Sequence, residues 1–349
     1  MADVLTERRG GAGWITLNRP RARNALDLGM IHAITKALDG WREDPAIRRV
    51  VMTSSSELAF CSGGDVRAVR RAVLDSRPDG DTFFRDEYAL NLAIATYPKP
   101  FIALIDGTCM GGGLGVSIHG THRVVTERAA FAMPETAIGF FPDIGASYFL
   151  PRLPGAVGMY LGLTGSRMLA GDALATGLAT GFVGSSDAPA ELERLASDDL
   201  AEPLGWASAP HSPLSSPLND QRDRIARCFG QPTLTTVLEA LAAEDHPWPR
   251  EVLALLQTRC PTSLAVTFEL LRQGASMSVA ECLAMELHLT RVMATRNDFV
   301  EGVRAVLVDK DGLARWEPAT LAEVDFAWTR RQVALAREAG VTRPLTSSW

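Results

Sequence analysis

The stretch that most constrains this chain runs from Lys99 to Pro151, KPFIALIDGTCMGGGLGVSIHGTHRVVTERAAFAMPETAIGFFPDIGASYFLP. An apolar run that reads as a strand, Phe101 to Ile105, leads to three consecutive glycines, Gly111, Gly112 and Gly113. A second strand pattern follows, and then a turn-rich segment carrying Glu135 and Asp143. Glycine lets backbone come close to a ligand and adopt the positive φ that tight turns need. The order therefore suggests a pocket of backbone amides facing two carboxylates.

An earlier segment repeats part of this design. Arg49 to Thr53 reads as a strand and runs into Phe60-Cys61-Ser62-Gly63-Gly64-Asp65, with a helix expected soon after Asp65. Two amides from two such turns, each leading into a helix N-terminus, would grip one carbonyl oxygen. Taken alone, each glycine run is weak evidence and fits a structural turn better than a site. Neither matches a phosphate-binding GxxxxGK[ST] or GxGxxG pattern. Glu135 and Asp143 each follow a proline and lie among Met133, Ile138, Phe140, Phe141 and Ile144. Such surroundings raise a carboxyl pKa toward neutrality and suit it to acid or base work. Capping of turns by the same two acids is the structural alternative.

The other candidate groups carry less. His119 and His122 are too few for a metal site. Arg67, Arg70 and Arg71 fit either a ligand phosphate or a solvated helix face. The five cysteines include no CxxC, which suggests reduced thiols and a cytoplasmic setting. Cys61 and Cys109 lie near the glycine turns but have no histidine adjacent in sequence. At 349 residues and 46% hydrophobic, the chain has enough apolar surface for a sizeable core. A net charge of −6 argues against nucleic acid as a partner. The N-terminus shows no apolar leader, and the run from Phe101 to Ile118 is broken by Asp106, which excludes a membrane span.

Along the chain, Trp14 to Leu17 reads as a strand, and Leu26 to Trp41 has helical spacing. Asp81 to Tyr97 reads as a helix with Tyr88, Leu92 and Ala95 on one face. Leu114 to His119 reads as a helix after the triple glycine, and Arg123 to Thr126 and Ala130 to Met133 read as strands. Strand, turn and helix recur at intervals of some fifty residues, which fits stacked α/β repeats. Ser185 to Pro217 is rich in Ser, Pro and Ala and reads as a connection holding one short helix, with Trp206 packing down. Beyond it the signals are helical. Thr262 is placed to cap Ser263–Arg272, with Gly274 just past its end. Ser278 with Glu281 is a capping box. Asp298 to Lys310 is a further helix and tail, and the chain is expected to fray from about Thr342. The division expected is residues 1–205 as the core with the site and 206–349 as a mostly helical region.

The Phe60–Val66 turn, the Gly111–Gly113 turn and the MPET segment together resemble the crotonase (enoyl-CoA hydratase/isomerase) superfamily. The longer segments FFRDEYALN, MGGGLGVSIHG, FAMPETAIGFFPDIGASYFLPRLPG and DFVEGVRAVLVDK resemble its 3-hydroxyisobutyryl-CoA hydrolase branch. The likeness runs from about Trp14 to about Val324. It implies an α/β crotonase-like spiral of strand-strand-helix units with a helical C-terminal region. It implies an oxyanion hole from the amides of Gly64 and Gly112, substrate contacts at Glu87, Gly112, Glu135 and Asp143, and catalytic roles for Glu135 and Asp143. In hydratases of the superfamily one catalytic glutamate falls at the position of Gly115, which offers no side chain, while Asp143 is typical of the hydrolase branch. The activity implied is thioester hydrolysis in valine catabolism, with coenzyme A as part of the substrate and no metal or redox cofactor. An enoyl-CoA isomerase or hydratase is the alternative, and a non-catalytic acyl-CoA-binding protein is one of another class. The superfamily also implies a homo-oligomer, trimer or hexamer, unless the C-terminal lobe replaces those contacts. Arg23 to Leu26 and the Arg67 region are candidate coenzyme A anchors by position.

Overall fold

The computed structural model describes residues 2–197 and 214–346. Among these, ten strands form two sheets. β1 (Val4–Arg9), β2 (Ala12–Leu17), β3 (Arg49–Ser54), β5 (Phe101–Ile105), β7 (His122–Val125) and β10 (Gly181–Phe182) make the larger, in the order β1-β2-β3-β5-β7-β10. β4 (Ala59–Cys61), β6 (Thr108–Met110), β8 (Ala130–Ala132) and β9 (Met168–Leu169) make the smaller. β1–β2 and β8–β9 pair antiparallel, and the other pairings are parallel. Each turn of the chain adds a strand to the large sheet and the next strand to the small one: β3 then β4, β5 then β6, β7 then β8. The expected spiral of strand-strand-helix units is thus present. Its spacing is less regular than the expected fifty residues, because the large-sheet strands begin at Arg49, Phe101 and His122.

The helices that bear on the site are α1 (Leu28–Arg42), α2 (Val66–Leu74), α3 (Asp79–Ala95), α4 (Gly112–Gly115) and α5 (Ala146–Phe149). α6 (Val157–Thr164), α7 (Ala170–Ala175) and α8 (Ala188–Ala196) follow. The C-terminal region holds α9 (Pro217–Asp220), α10 (Arg222–Phe229), α11 (Leu234–Ala243), α12 (Pro247–Gln257), α13 (Pro261–Gly274), α14 (Val279–Met293), α15 (Asn297–Val303) and α16 (Phe326–Thr342).

Local chemistry explains most boundaries. Asp27, Asp65 and Asp325 accept from the third residue beyond them and so open α1, α2 and α16. Ser278 and Glu281 form the expected capping box of α14. Thr262 does not cap α13. Pro261 takes the first helical position, where its missing N–H costs nothing, so the boundary falls two residues earlier, at Cys260. The helix after the triple glycine begins inside the run, at Gly112, and ends at Gly115. The short helix expected after Ser185 is α8, whereas Trp206 lies outside the described residues.

One apolar core runs through the molecule, from Val4, Ile15 and Leu17 through Phe60, Leu114 and Phe141 to Met285, Phe299 and Ala336. It lies between the two sheets and continues among the C-terminal helices. A smaller cluster around Trp14, Val51, Ile102 and Leu195 covers the outer face of the large sheet under α8. α14 packs against α3, α5 and α16, which ties the C-terminal helices to the segments that carry the site. Among the described residues, no helix is long and apolar enough to cross a membrane.

Candidate active site

β4 and β6 lie side by side and parallel, so the turns that follow them meet. Gly111 turns the chain at φ 44°, a conformation that glycine adopts without steric penalty. At Gly112 the requirement is space. A Cβ there would sit 2.4 Å from Glu87 Oε1, 3.2 Å from the Gly64 nitrogen and 3.2 Å from Leu26 Cδ1. A parallel bridge between Leu26 and Gly64, with Leu26 N–H donating to Gly63 O at 2.8 Å, holds the other turn in place. Among the described residues, no backbone acceptor takes the amide hydrogen of Gly64 or Gly112. Gly112 opens α4, and the first N–H groups of a helix have no partner inside it.

Three carboxylates surround these amides. Glu87 comes from the middle of α3, Glu135 from the 3-10 turn Glu135–Ile138 that follows β8, and Asp143 from the loop before α5. All three are buried. Glu87 Oε1 and Glu135 Oε2 have no hydrogen-bond partner among the described residues. Glu135 Oε1 would lie 3.0 Å from a Cβ on Gly111. Tyr88 donates to Asp143 Oδ2 at 2.6 Å. Burial, and next the charge of Asp143, raise Glu87 and Glu135 well above the ordinary glutamate value. Burial pushes Asp143 up to about 7, against the opposing hydrogen bond from Tyr88. Three buried acids this close together cannot all ionise at once and hold their protons to higher pH than free carboxylates do. Glu135, Asp143, Glu87, Gly64 and Gly112, singled out in the sequence, therefore converge on one cavity of about 730 Å³.

Gly115 is filled from another direction. A Cβ there would lie 2.8 Å from Asn91 Nδ2 and 3.1 Å from Ile144 Cβ. Asn91 is fully buried, and its side-chain amide has no partner among the described residues. The volume that a second hydratase glutamate would need is occupied by a neutral amide from α3.

Other candidates sort out plainly. Arg21, Arg23, Arg67 and Lys310 line the same cavity, so two of the four, Arg23 and Arg67, were legible by position. Arg70 turns away and donates to Val300 O at 2.8 Å, and Arg71 is exposed. Arg19 also reaches the cavity but is paired with Asp65 at 3.2 Å. His119 Nε2 meets Ile144 O at 2.7 Å, and burial lowers the ring to about 4, so it is neutral at pH 7. Burial raises both Cys61, to about 12, and Cys109, which keeps them as thiols.

The residues not foreseen in the sequence lie behind the site. Glu286 of α14 accepts from Gly145 N at 2.6 Å, Ser147 N at 2.9 Å and Ser147 Oγ at 2.6 Å. It therefore clamps the loop just beyond Asp143, and burial pushes it up to about 8. Its acid sits on the helix whose capping box was legible, but nothing local to that helix marks a partner 141 positions away.

The enoyl-CoA hydratase/isomerase family model matches residues 12–333. The chain is 44% identical over 331 residues to the mitochondrial 3-hydroxyisobutyryl-CoA hydrolase of Xenopus tropicalis, covering 92% of this chain and 86% of that one. It is 42% identical over 335 residues to the mitochondrial 3-hydroxyisobutyryl-CoA hydrolase of Homo sapiens, with the same coverage. Among solved structures, a carnitinyl-CoA dehydratase from Mycobacterium thermoresistibile superposes with a TM-score of 0.90 at 38% identity, covering 100% of this chain and 99% of that one. An enoyl-CoA hydratase from Rhodobacter sphaeroides 2.4.1 gives 0.89 at 38%, covering 99% and 100%. Both vertebrate relatives are mitochondrial, and this overturns the cytoplasmic expectation. Buried thiols report reducing surroundings without saying which compartment supplies them. A match over nearly the whole chain, on the geometry described above, establishes that the chain belongs to the enoyl-CoA hydratase/isomerase family.

Proposed function

We propose that the chain is a thioester hydrolase that converts 3-hydroxyisobutyryl-CoA and water to 3-hydroxyisobutyrate and coenzyme A, a step of valine breakdown. The observation that carries this reading is the trio Glu87, Glu135 and Asp143 around two free amides, with Asn91 occupying the space beside Gly115. Water addition to an enoyl-CoA by the two-glutamate route needs a carboxylate at position 115, where glycine offers none and the Asn91 side chain takes up the adjoining space. The two vertebrate relatives carry the hydrolase name, while the two solved structures carry dehydratase and hydratase names. The chemistry at Gly115 favours the former for this chain.

In the mechanism, the amides of Gly64 and Gly112 bind the thioester oxygen and stabilise the tetrahedral anion, each donor contributing roughly 2.7–4 kcal/mol of barrier lowering. Glu135 has two routes. As a base it takes a proton from water, whose oxygen attacks the carbonyl carbon. As a nucleophile it attacks directly, expels the thiolate and forms an anhydride that water then opens. Asp143 orients Glu135, the water or the substrate hydroxyl, and Glu87 contacts the hydroxyl or the other acids. Arg21, Arg23, Arg67 and Lys310 offer charge to the phosphates of coenzyme A at the cavity mouth. The step as written uses no metal or redox cofactor. As in the superfamily at large, we take a trimer or hexamer as the working assembly.

The test follows free thiol with 3-hydroxyisobutyryl-CoA and, in parallel, absorbance with a short enoyl-CoA. Thiol release without enoyl conversion is expected. Enoyl conversion without thiol release overturns the reading. A single turnover in oxygen-18 water tests for the nucleophile route: if water opens the anhydride at the Glu135 carbonyl, the label enters Glu135 and the first product is unlabelled, whereas the base route labels the first product and leaves Glu135 unlabelled.

A further inference from the structure

α14 supplies Thr290 as well as Glu286, one helical turn apart on the same face. Thr290 Oγ1 lies 2.9 Å from Tyr88 Oη, and Tyr88 lies 2.6 Å from Asp143 Oδ2. All three residues are buried. The direction of the chain is fixed by counting protons. With Asp143 ionised, the one hydrogen of the Tyr88 hydroxyl goes to the carboxylate, so Thr290 is the donor to Tyr88. Hydrogen bonds in such a chain polarise one another, and a bond to a charged acceptor is the strong one.

We propose that Tyr88 and Thr290 are positioning residues for Asp143, forming a relay by which a C-terminal helix fixes the orientation and the charge of an active-site carboxylate. This rests on the assignment of Asp143 to the hydrolytic site. Tyr88 opposes the effect of burial by solvating the negative charge of Asp143, which draws its proton affinity back toward that of an ordinary aspartate. The relay acts against everything else that faces Asp143: Glu87 from the same helix as Tyr88, Glu135 from the turn after β8, and Glu286 from α14 are all acids. His119, which approaches through the carbonyl of Ile144, is neutral at pH 7 and supplies no compensating charge. Tyr88 is thus the side-chain donor that favours the Asp143 anion, beside a hydrogen bond from the backbone of Asp143 itself.

The experiment compares the unmodified chain with Tyr88→Phe, Thr290→Val, Asp143→Asn and the double variant Tyr88→Phe/Asp143→Asn. Tyr88→Phe is expected to lower kcat about ten- to hundredfold with KM unchanged, and Thr290→Val to lower it by less. In the Asp143→Asn background, Tyr88→Phe is expected to cost nothing more. Equal losses in both backgrounds, or full kcat in Tyr88→Phe, overturn the proposal. An infrared titration of the carboxyl band that Asp143→Asn removes gives a readout independent of turnover. Its midpoint is expected to rise in both relay variants, and an unchanged midpoint overturns the relay. Absence of thiol release from every form would sink the hydrolase reading instead and leave the infrared result to decide the relay.

Discussion

At the scale of single residues, the acids are legible because their neighbours are. Pro134-Glu135 and Pro142-Asp143 lie in apolar segments that have to be buried, and an acid in such a segment goes inside with them. Two consequences of that burial are measurable. In the proposed mechanism both carboxylates work as anions, so kcat/KM should rise with pH, with an acid limb at or above 7, where Asp143, held up to about 7, and Glu135, raised well above the ordinary glutamate value, release their protons. Glu135→Gln should lower thiol release by about 100- to 10,000-fold at every pH, the range typical of lost acid–base catalysis. A loss below tenfold would remove Glu135 from the chemistry. The second consequence concerns stability. The native chain holds the Asp143 proton to about pH 7, whereas an unfolded aspartate releases it at about 3.9. A raised native value contributes stability that is full below the unfolded value and is lost as pH rises through the native one. Glu286, held at about 8, acts with the same sign. Asp143→Asn removes one of these losses, so its Tm should fall less than that of the unmodified chain between pH 5 and pH 8. Parallel Tm curves for the two would contradict the assignment. Tyr88, Thr290 and Glu286 could not be read as site residues, because each meets its partner across a long sequence separation that no local pattern records.

At the scale of elements, the sequence shows strands and caps well and lengths less well. Phe101 to Ile105 is a strand with the expected bounds, and Ser278 with Glu281 opens α14 as expected. α4 ends at Gly115, and the chain runs on in turns that keep helix-like bonds, Val116 N–H to Gly112 O at 3.1 Å and Ile118 N–H to Leu114 O at 2.7 Å, beside a tighter one from Ser117 N–H to Leu114 O at 3.0 Å. α16 gave no sign in the sequence reading, although Asp325 caps it. Nor was the interlock between α3 and α4 legible, since a glycine in a sequence does not say what fills the space beside it. Gly115 is such a case. Restoring a hydratase-like acid by Gly115→Glu drives its Cβ into Asn91 and Ile144. The variant should lose about 1–3 kcal/mol of stability in urea, the cost typical of overpacking a core, and gain no hydratase activity. Adding Asn91→Ala opens the space and should recover part of that stability. Enoyl-CoA hydration by Gly115→Glu alone would show that Asn91 moves aside and is no barrier.

At the scale of the whole molecule, the C-terminal helices complete the site as well as the core. The apolar cluster passes from the sheets into α13, α14 and α16 without interruption, and α14 carries the groups that hold Asp143 and the loop after it. α16 has no residue in the cavity, but it meets α14 at backbone distance. A Cβ on Gly340 would lie 2.5 Å from Glu281 O and 3.1 Å from Met285 Cβ. A leucine there cannot be accommodated by a rotamer change, because the obstacle is the backbone of α14 itself. Gly340→Leu must therefore displace one helix from the other, at about 1–3 kcal/mol. If α14 only supports the core, the cost appears as a lower Tm and the folded enzyme keeps its kcat. If α14 also sets the Asp143 loop, kcat falls at temperatures where circular dichroism shows the chain still folded, while KM stays near its original value. We expect the second outcome. A variant with lowered Tm and unchanged kcat would confine α16 to a structural role and would mean that small shifts of α14 do not reach the carboxylate.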